Sequence, residues 1–367
     1  MDDPRTPVLE LLTVPMRMDG LSLFPLRFAA RMPRIRADFL TYSIGEPSVQ
    51  SQVESMSGRV YVAPNRLRHP VRYIRFVAQT VRKNGYSLVH AHGNSCTLAI
   101  DLLAAKLGGA RVRIAHAHNS SCKFTLLHRL LRPMFDHLYT HAMACGDEAG
   151  RWLFGSRPYT VVHNAVDTAQ FAFSPEKRRE VRAELNLKDS WTLGCVAAFN
   201  PVKNQSFLID VLALLLKRRP DCVLVLIGDG EMRPEIEARV HALGLDAHVR
   251  FTGTRTDVPR LLQAMDVMLL PSLYEGFPTV ALEWQAAGLP ALLSDSVTRD
   301  CAVAQGVQFL PLETDRWVDA LCSLPEADRP QAAQNGATSV ARAGYDLASA
   351  AEKLQETYLH LIDASRR

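Results

Sequence analysis

The chain has 367 residues, of which 47% are hydrophobic and 22% are charged, and its net charge is +4. This length can bury two cores, so we expect two domains, and so mild a charge argues against nucleic-acid binding. Seven cysteines without a CxxC pair favour reduced thiols and a cytoplasmic protein. No secretory signal is evident, and the longest apolar stretch, 207–216, contains Asp210 and suits a buried helix better than a membrane span.

The first half of the chain alternates between strand and helix patterns. Apolar runs predict strands over 8–14, 38–44, 87–92, 112–118 and 139–145. Amphipathic spacing predicts helices between them, over 71–83 and 97–107 among others. A βα series of this kind predicts a mainly parallel sheet.

The alternation restarts after a charge-rich segment, 167–190, that we expect to separate the two halves. Strands are predicted over 192–198, 222–227, 248–252, 267–270 and 291–293, and helices over 204–218, 231–243, 258–264 and 279–287. The prediction is an α/β protein with two Rossmann-like domains, 1–168 and 169–345, that face each other across a cleft. The last segment, 346–367, is predicted as an amphipathic helix that returns toward the first domain.

Polar loops follow four successive strands of the second half. They contain Phe199 to Asn204, Gly228 to Glu231, Thr252 to Asp257 and Leu273 to Thr279. A single such loop is weak evidence, because an isolated GDGE segment is usually a turn and an isolated lysine is usually solvated. Since the carboxyl ends of parallel strands meet at one edge of a sheet, the four loops together predict one crevice that receives a phosphorylated ligand.

The last of these loops carries two carboxylates eight residues apart. Glu275 lies in the loop, and Glu283 lies about one turn into the helix that is predicted to begin at Thr279. Free backbone N–H groups at a helix start favour anions. The arrangement suits recognition of hydroxyl groups at two points of one extended ligand.

This element resembles the E-x7-E signature of the retaining glycosyltransferases of family 4, which have the two-domain GT-B fold. The residues that carry the resemblance are Glu275, Gly276, Phe277, Pro278, Glu283, Ala287, Gly288 and Pro290. Asn164 to Asp167 with Phe171 resembles the family's segment before the interdomain linker. The stretches 115–120 and 145–155 resemble the exopolysaccharide, EpsF-like branch.

The resemblance implies a hexosyltransferase that moves a sugar from a nucleotide donor, taken as a UDP-sugar, to a saccharide or lipid-linked acceptor in surface-glycan synthesis. The first domain would bind the acceptor and the second the donor. The implied donor-binding residues are Gly20, Asn200, Lys203, Gly228, Asp229, Gly230, Arg255, Glu275, Gly276, Phe277, Pro278, Thr279 and Glu283.

Three of these side chains and one histidine receive particular roles from the resemblance. Glu283 would accept hydrogen bonds from the ribose, and Glu275 would hold hydroxyls of the donor sugar. Lys203 would neutralise the leaving diphosphate in the transition state. His118 would approach the donor sugar from the first domain, as a positioning and electrostatic residue and not as a nucleophile.

The chain departs from the family pattern at two places. Ala198 stands where the family commonly has an arginine, and the loss of one charge-assisted contact is worth about 1.5 to 3 kcal/mol. Arg255 or Arg299 could substitute for it. Near the N-terminus the family's usual Gly-Gly loop reads Met18-Asp19-Gly20-Leu21-Ser22, in which only Gly20 remains. Two alternatives therefore stay open: a donor-binding relative with weak or no activity, and a nucleotide-sugar epimerase of the same fold, although epimerases lack the element at 275–283.

Two HxH pairs, 90–92 and 116–118, suggest a competing metal site. Residues two apart on a strand face the same way, so each pair could supply two ligands. We expect no metal and no cofactor, because buried parallel strands often hold core histidines, no carboxylate partner is apparent, and the family resemblance requires none.

Basic residues accompany leucines in the segment from Lys123 to Arg132, which includes His128 and Arg129. Such a helix could dock peripherally on the inner face of an anionic membrane. The alternative is a solvated helix whose leucines pack on the core.

Overall fold

A computed structural model describes residues 3–17, 19–325 and 328–367 of the chain. The chain divides into two compact units, one formed by 1–164 together with 347–367 and the other by 165–346. The boundaries predicted from sequence, after residues 168 and 345, lie within four residues of this division. Met18, which belongs to the segment that departs from the family's Gly-Gly loop, lies outside the described residues.

The first unit is a parallel sheet with helices between its strands. Its strands are β1 (Thr6–Leu12), β2 (Ile35–Thr41), β3 (Val60–Val62), β4 (Leu88–Gly93), β5 (Val112–Ala117), β6 (His141–Ala144) and β7 (Thr160–Val161). Its helices are α1 (Gly20–Ala29), α2 (Pro47–Ser55), α3 (Pro70–Asn84), α4 (Leu98–Gly108), α5 (Thr125–Phe135) and α6 (Asp147–Phe154). Among the described residues the strand order is β3-β2-β1-β4-β5-β6-β7, so the direction of addition reverses between β1 and β4.

The second unit repeats this architecture. Its strands are β8 (Trp191–Val196), β9 (Cys222–Ile227), β10 (Val249–Gly253), β11 (Val267–Leu270), β12 (Ala291–Ser294) and β13 (Val307–Leu310). Its helices are α7 (Pro175–Glu184), α8 (Gln205–Leu215), α9 (Arg233–Ala242), α10 (Val258–Leu261), α11 (Thr279–Ala286), α12 (Thr314–Cys322) and α13 (Arg329–Arg342). In the described part of this unit the order is β10-β9-β8-β11-β12-β13, with the reversal between β8 and β11.

The final helix, α14 (Leu347–Ala364), belongs to the first unit. Its Gln355 side chain accepts a hydrogen bond of 2.8 Å from the backbone N–H of Arg34, and its Tyr358 is 1% exposed inside that unit. The helix predicted over the last segment is thereby confirmed.

The predicted strands are confirmed, with shifted ends where the chain leaves the sheet early. The strands β9 and β11 have the predicted bounds, and every residue of both is buried, as expected for parallel strands covered on two faces. In contrast, β1 ends at Leu12, two residues before the predicted end. The Thr13 hydroxyl then donates to the carbonyl of His92 at 2.8 Å, which turns the chain across the end of β4.

The charge-rich segment 167–190 does not separate the halves as predicted but folds into the second unit. Ser174 caps α7 by accepting the backbone N–H of Lys177, and Val181 and Leu187 are fully buried. Arg178 forms a 2.6 Å ion pair with Asp266. The sequence pattern was misleading because a short amphipathic helix needs few apolar residues to bury one face.

The apolar stretch 207–216 lies largely within α8, as predicted. In the described ranges, no helix is both long enough and apolar enough to cross a membrane.

Two glycines allow α13 to approach α11, the helix that carries Glu283. A Cβ atom at Gly336 would lie 1.9 Å from the carbonyl oxygen of Gln285, and one at Gly288 would lie 2.2 Å from the backbone nitrogen of Ala333. Neither contact leaves room for any larger residue, so close packing of these helices fixes the position of α11.

We expect Gly336→Ala to lower the free energy of unfolding by about 1 to 3 kcal/mol, because the added methyl group must separate two packed helices. Thermal or urea unfolding measures this, with Asn335→Ala on the exposed side of the same helix as the control. Equal stability of the two variants would contradict the packing argument.

Candidate active site

Four loops meet at the carboxyl edge of the second sheet, as the sequence predicted. The loop after β8 is joined to the loop after β9 by the N–H of Phe199, which donates to the carbonyl of Asp229 at 2.9 Å. It is joined to the loop after β11 by the N–H of Leu273, which donates to Val202 at 2.8 Å. Because the strand order reverses between β8 and β11, a crevice opens at this point, where ligands of α/β sheets bind.

The loop after β9 requires glycine at two positions. Gly228 has a φ of 141° and Gly230 a φ of 157°. A Cβ atom on either would collide with the neighbouring loop, at 2.0 Å from the Ala197 carbonyl oxygen and 2.4 Å from that of Phe199. Asp229 between them accepts the N–H of Gly230 at 2.8 Å, and this hydrogen bond, together with Arg233, lowers the pKa of its carboxyl. The backbone is therefore held close to the neighbouring loop.

Lys203 and Glu275 form an ion pair at the reversal point. The Lys203 ammonium donates to Oε1 of Glu275, and the hydroxyl of Ser272 donates to the same oxygen at 2.9 Å. Both side chains remain partly exposed, at 23% and 14%. Asn200 shapes the loop by accepting the N–H of Lys203 at 3.1 Å. The resemblance assigned Lys203 to the diphosphate and Glu275 to the sugar hydroxyls, yet the two side chains contact each other.

Glu283 lies on α11, which begins at Thr279 as predicted. Its side chain is partly exposed, whereas Pro278 before the helix is buried. Phe277 stacks on Tyr345 with ring centroids 5.3 Å apart, and Gly276 is exposed. The helix start and the loop are therefore held in place by packing of their apolar side chains, while Gly276 and Glu283 remain accessible to solvent.

The arginines proposed as substitutes at Ala198 have other partners. Arg255 forms ion pairs of 2.7 Å with Asp257 and 3.1 Å with Glu184, and the Arg299 guanidinium lies 5.0 Å from the centre of the Phe309 ring. Ala198 itself is exposed. A longer side chain could therefore extend from it into solvent.

Near the N-terminus, Asp19 has a structural role. Its carboxylate accepts the N–H of Ser22 at 2.9 Å and so caps α1. Gly20 is the first residue of the helix, and no atom of the described part of the chain lies within 4 Å of where its side chain would begin.

In the first unit, Glu10 joins the two HxH pairs. Register pairs Glu10 with His90 and His92 with His116, so these side chains share one face of the sheet. Oε2 of Glu10 lies 2.7 Å from Nε2 of His92. The expectation that the histidines lack a carboxylate partner is therefore wrong. The overlooked indication was a single glutamate within the otherwise apolar strand β1.

A hydrogen-bonded chain, which we call the histidine chain, runs through this face. It consists of His116, His90, Tyr358, Glu10, His92 and His118, in that order. Nδ1 of His92 lies 2.9 Å from Nε2 of His118, and the Tyr358 hydroxyl donates to Oε1 of Glu10 at 3.1 Å. His118 is partly exposed and the other five residues are buried.

Burial sets the charge state of this chain. Desolvation raises the pKa of Glu10 to about 8 and lowers that of His92 to about 3. Desolvation also holds the pKa values of His90, His116 and His118 well below the ordinary value, and neighbouring histidines add to the effect. All four imidazoles are therefore neutral at pH 7.

Ligand atoms of His90, His92 and His116 lie within 4.8 Å of one another, a spacing that a metal ion could use. However, His90 and His92 already use both ring nitrogens in hydrogen bonds. A bound metal would have to replace bonds that the fold already makes.

The segment from Lys123 to Arg132 presents some, but not all, of its basic side chains on the surface. His128 is buried, stacks on Trp152 at 5.1 Å and accepts the N–H of Cys96, so its assignment to a basic surface is wrong. On the outer side of α5, Leu126 and Leu130 are 71% and 67% exposed.

Comparison with known proteins agrees with this architecture. Crystal structures of HepE from Anabaena, in complex with UDP and with UDP-glucose, superpose with TM-scores of 0.78 and 0.76 at 21% identity and cover 96% of this chain and 99% of theirs. Two parallel-sheet Rossmann-like domains with this likeness define the class by its fold: the protein has the GT-B fold.

The family follows from the sequence. Residues 20–170 match the family model for Glycosyltransferase Family 4, and residues 177–316 match that for Glycosyl transferases group 1. The chain is 35% identical over 330 residues to the putative glycosyltransferase EpsF of Bacillus subtilis, covering 85% of each. It is 25% identical, over 77% of each chain, to an Escherichia coli enzyme named UDP-Gal:alpha-D-GlcNAc-diphosphoundecaprenol alpha-1,3-galactosyltransferase. The chain belongs to glycosyltransferase family 4.

Proposed function

We propose that this glycosyltransferase transfers a sugar, with retention of configuration, from a UDP-sugar to a saccharide or lipid-linked acceptor during surface-polysaccharide synthesis. The observation that carries the proposal is the Lys203–Glu275 pair at the reversal point of the second sheet, beside the loop of Gly228 and Gly230. A cation, a hydroxyl acceptor and closely approaching backbone are what a nucleoside diphosphate sugar requires at one site.

The relatives support the choice of donor and pathway. HepE was crystallised with UDP and UDP-glucose, and the name of the E. coli relative specifies a UDP-galactose donor and a diphosphoundecaprenol-linked acceptor. EpsF, the relative with 35% identity, is named only as a putative glycosyltransferase.

The proposed chemistry uses the ion pair as an exchangeable contact. When the donor binds, its diphosphate would take the Lys203 ammonium from Glu275, and Glu275 would turn to hydroxyls of the sugar. Lys203 then opposes the negative charge that grows on the leaving diphosphate. The acceptor hydroxyl attacks from the side of the leaving group, and a phosphate oxygen takes its proton, so no protein nucleophile and no metal ion is needed.

The remaining donor contacts follow from the same placement. Glu283 accepts hydrogen bonds from the ribose hydroxyls, and the N–H groups of Gly276 and Phe277 serve the sugar. The base lies against the loop after β10 or the segment after Phe199.

The acceptor belongs to the first unit in this proposal. A groove of about 470 Å³ there is lined by Arg66, Lys123 and Phe124 among others. Phe124 also begins the exposed apolar row of α5, which continues with Leu126 and Leu130. A groove that ends in an apolar row suits a lipid-linked saccharide on an anionic membrane.

A second candidate function is a donor-binding relative with little activity, and Ala198 is the observation that favours it. Without the usual arginine, the diphosphate meets one cation fewer at this edge.

A screen of nucleotide sugars by thermal shift and by product formation tests the proposal. We expect a UDP-sugar to raise the melting temperature and to be turned over with EDTA present. We expect Ala198→Arg to tighten its binding by roughly tenfold or more. If a nucleotide sugar raises the melting temperature of the native chain but only Ala198→Arg turns it over, the second candidate is correct. An epimerised nucleotide sugar as product would exclude transfer.

Two substitutions should separate binding from turnover. Glu283→Ala removes the proposed ribose contact and should mainly weaken UDP binding, by roughly tenfold or more. His118→Ala should leave UDP affinity within about twofold and mainly lower kcat, because its proposed role concerns the reacting sugar. Calorimetry with UDP and steady-state kinetics measure the two effects. Equal losses of affinity in both variants would contradict this division of roles.

Membrane contact is tested by co-sedimentation with phosphatidylglycerol vesicles. We expect salt-sensitive binding by the native protein and its loss in the Leu126→Glu/Leu130→Glu double variant. Leu243→Glu, at an exposed leucine of the second unit, is the matched control. Salt-insensitive or absent binding of the native protein would leave α5 as an ordinary surface helix.

A further inference from the structure

The histidine chain connects a buried carboxylate to a partly exposed imidazole. Glu10 lies at its middle, and His118 lies at the end that solvent can reach. We infer that Glu10 is a positioning residue for His118, and that it sets, through His92, which ring nitrogen of His118 carries the proton. The inference rests on the proposed function, in which His118 contributes to turnover.

With Glu10 ionised, counting hydrogens fixes every bond in the chain. A carboxylate only accepts, so Nε2 of His92 and the hydroxyl of Tyr358 must both donate to it. Nδ1 of His92 is then bare and accepts from Nε2–H of His118. His118 is left with a lone pair on Nδ1.

Protonating Glu10 reverses the hydrogen bonds that run from Glu10 through His92 to His118. The acid donates to Nε2 of His92, so the His92 proton moves to Nδ1 and is donated to Nε2 of His118. His118 must then carry its own proton on Nδ1. The same residue presents an N–H donor in one state and an acceptor in the other.

The two states differ by one proton, and the balance closes. Starting from the protonated state, Nδ1 of His118 releases a proton to solvent. The proton shared between His92 and His118 moves to Nε2 of His118, and the Glu10 proton moves to Nε2 of His92. The negative charge therefore appears on Glu10, although the proton leaves the protein from His118. By this route a carboxyl that is only 1% exposed can exchange its proton with water.

The hydrogen bonds from Tyr358 through His90 to His116 have one favoured donor–acceptor direction. Nε2 of His116 is buried and has no hydrogen-bond partner among the residues that the structure describes. If Glu10 donated to Tyr358, each following bond would reverse and leave a buried N–H at this atom. A bare lone pair there costs less than an orphaned donor. The proton of Glu10 is therefore directed toward His92 and His118.

The groups that face Glu10 come from three elements. They are His90 and His92 of β4, Tyr358 of α14, and Phe39, its register partner on β2. The nearby carboxylate of β2, Asp38, pairs in register with Leu9 and so lies on the opposite face. Burial is the main cause of the raised pKa of Glu10, and the Tyr358 hydrogen bond lowers it in part. The carboxyl therefore ionises near pH 8, which lies within the pH range of the titration described next.

Nitrogen-15 NMR of histidine-labelled full-length protein tests the inference without any substrate. We assign His118 by its absence in the spectrum of His118→Gln. The expected result is that the protonated nitrogen of His118 changes from Nδ1 to Nε2 as pH rises through about 8. Glu10→Gln, which keeps size and hydrogen bonding but cannot ionise, should hold one tautomer from pH 6.5 to 9.5.

Tyr358→Phe provides the matched control. It removes the other hydrogen bond to Glu10 and leaves the links to His92 and His118, so the change of tautomer should persist at a higher pH. Loss of the change in this variant would mean that the cluster acts only as a packed core.

Kinetics connect the inference to turnover. Since an N–H at His118 can donate to an oxygen of a bound substrate, kcat should fall roughly tenfold as pH rises through about 8. Glu10→Gln should remove this alkaline decline without a comparable change in KM. An identical decline in the variant would overturn the inference.

The outcomes for the two proposals are distinguishable. If native His118 keeps one tautomer at every pH, or if the purified protein holds stoichiometric zinc or manganese on these histidines, the inference about Glu10 is wrong. If the tautomer changes as expected but no nucleotide sugar is used, the proposed function is wrong and the inference about proton placement stands.

Discussion

Parallel strands impose the constraint on which both units depend: their carboxyl ends meet at one edge, and a reversal of strand order opens that edge. In the second unit the reversal falls between β8 and β11, and Lys203 and Glu275 follow these two strands. In the first unit it falls between β1 and β4, which carry Glu10 and His92. The chemistry of each unit is thus located by its topology before any particular side chain is considered.

The two units manage charge in opposite ways. At the second reversal an ammonium and a carboxylate neutralise each other while both remain partly exposed, so a charged ligand can compete for either partner. At the first, burial suppresses charge, and neutral groups are linked into one chain of hydrogen bonds. The partly exposed ion pair of the second unit suits binding of an anion, and the buried histidine chain of the first unit suits the placement of a proton.

Much of this could be predicted from the sequence because it depends on local patterns. The apolar runs of β9 and β11 and the start of α11 at Thr279 follow from residue type and spacing. The gathering of the four loops follows from parallel topology alone. The E-x7-E spacing then supplied the family, which the matches of both halves confirm.

The parts that sequence analysis missed depend on long-range contacts. The partner of His92, Glu10, lies 82 positions away in sequence, and Tyr358 lies 348 positions from Glu10. His128 looked like a surface cation because its neighbours are basic, yet packing on Trp152 draws it inward. The ion pair of Lys203 with Glu275 was likewise hidden, since each residue had been assigned to a different part of the ligand.

The central claim is that a nucleoside diphosphate binds where Lys203 meets Glu275. Calorimetric titration of UDP into the native protein and into Lys203→Met tests it most directly, with Arg218→Met as control, since Arg218 pairs with Asp319 on the surface of the same unit. We expect Lys203→Met to bind UDP at least roughly tenfold more weakly and the control to be unchanged. Equal UDP affinity in the native protein and Lys203→Met would contradict it.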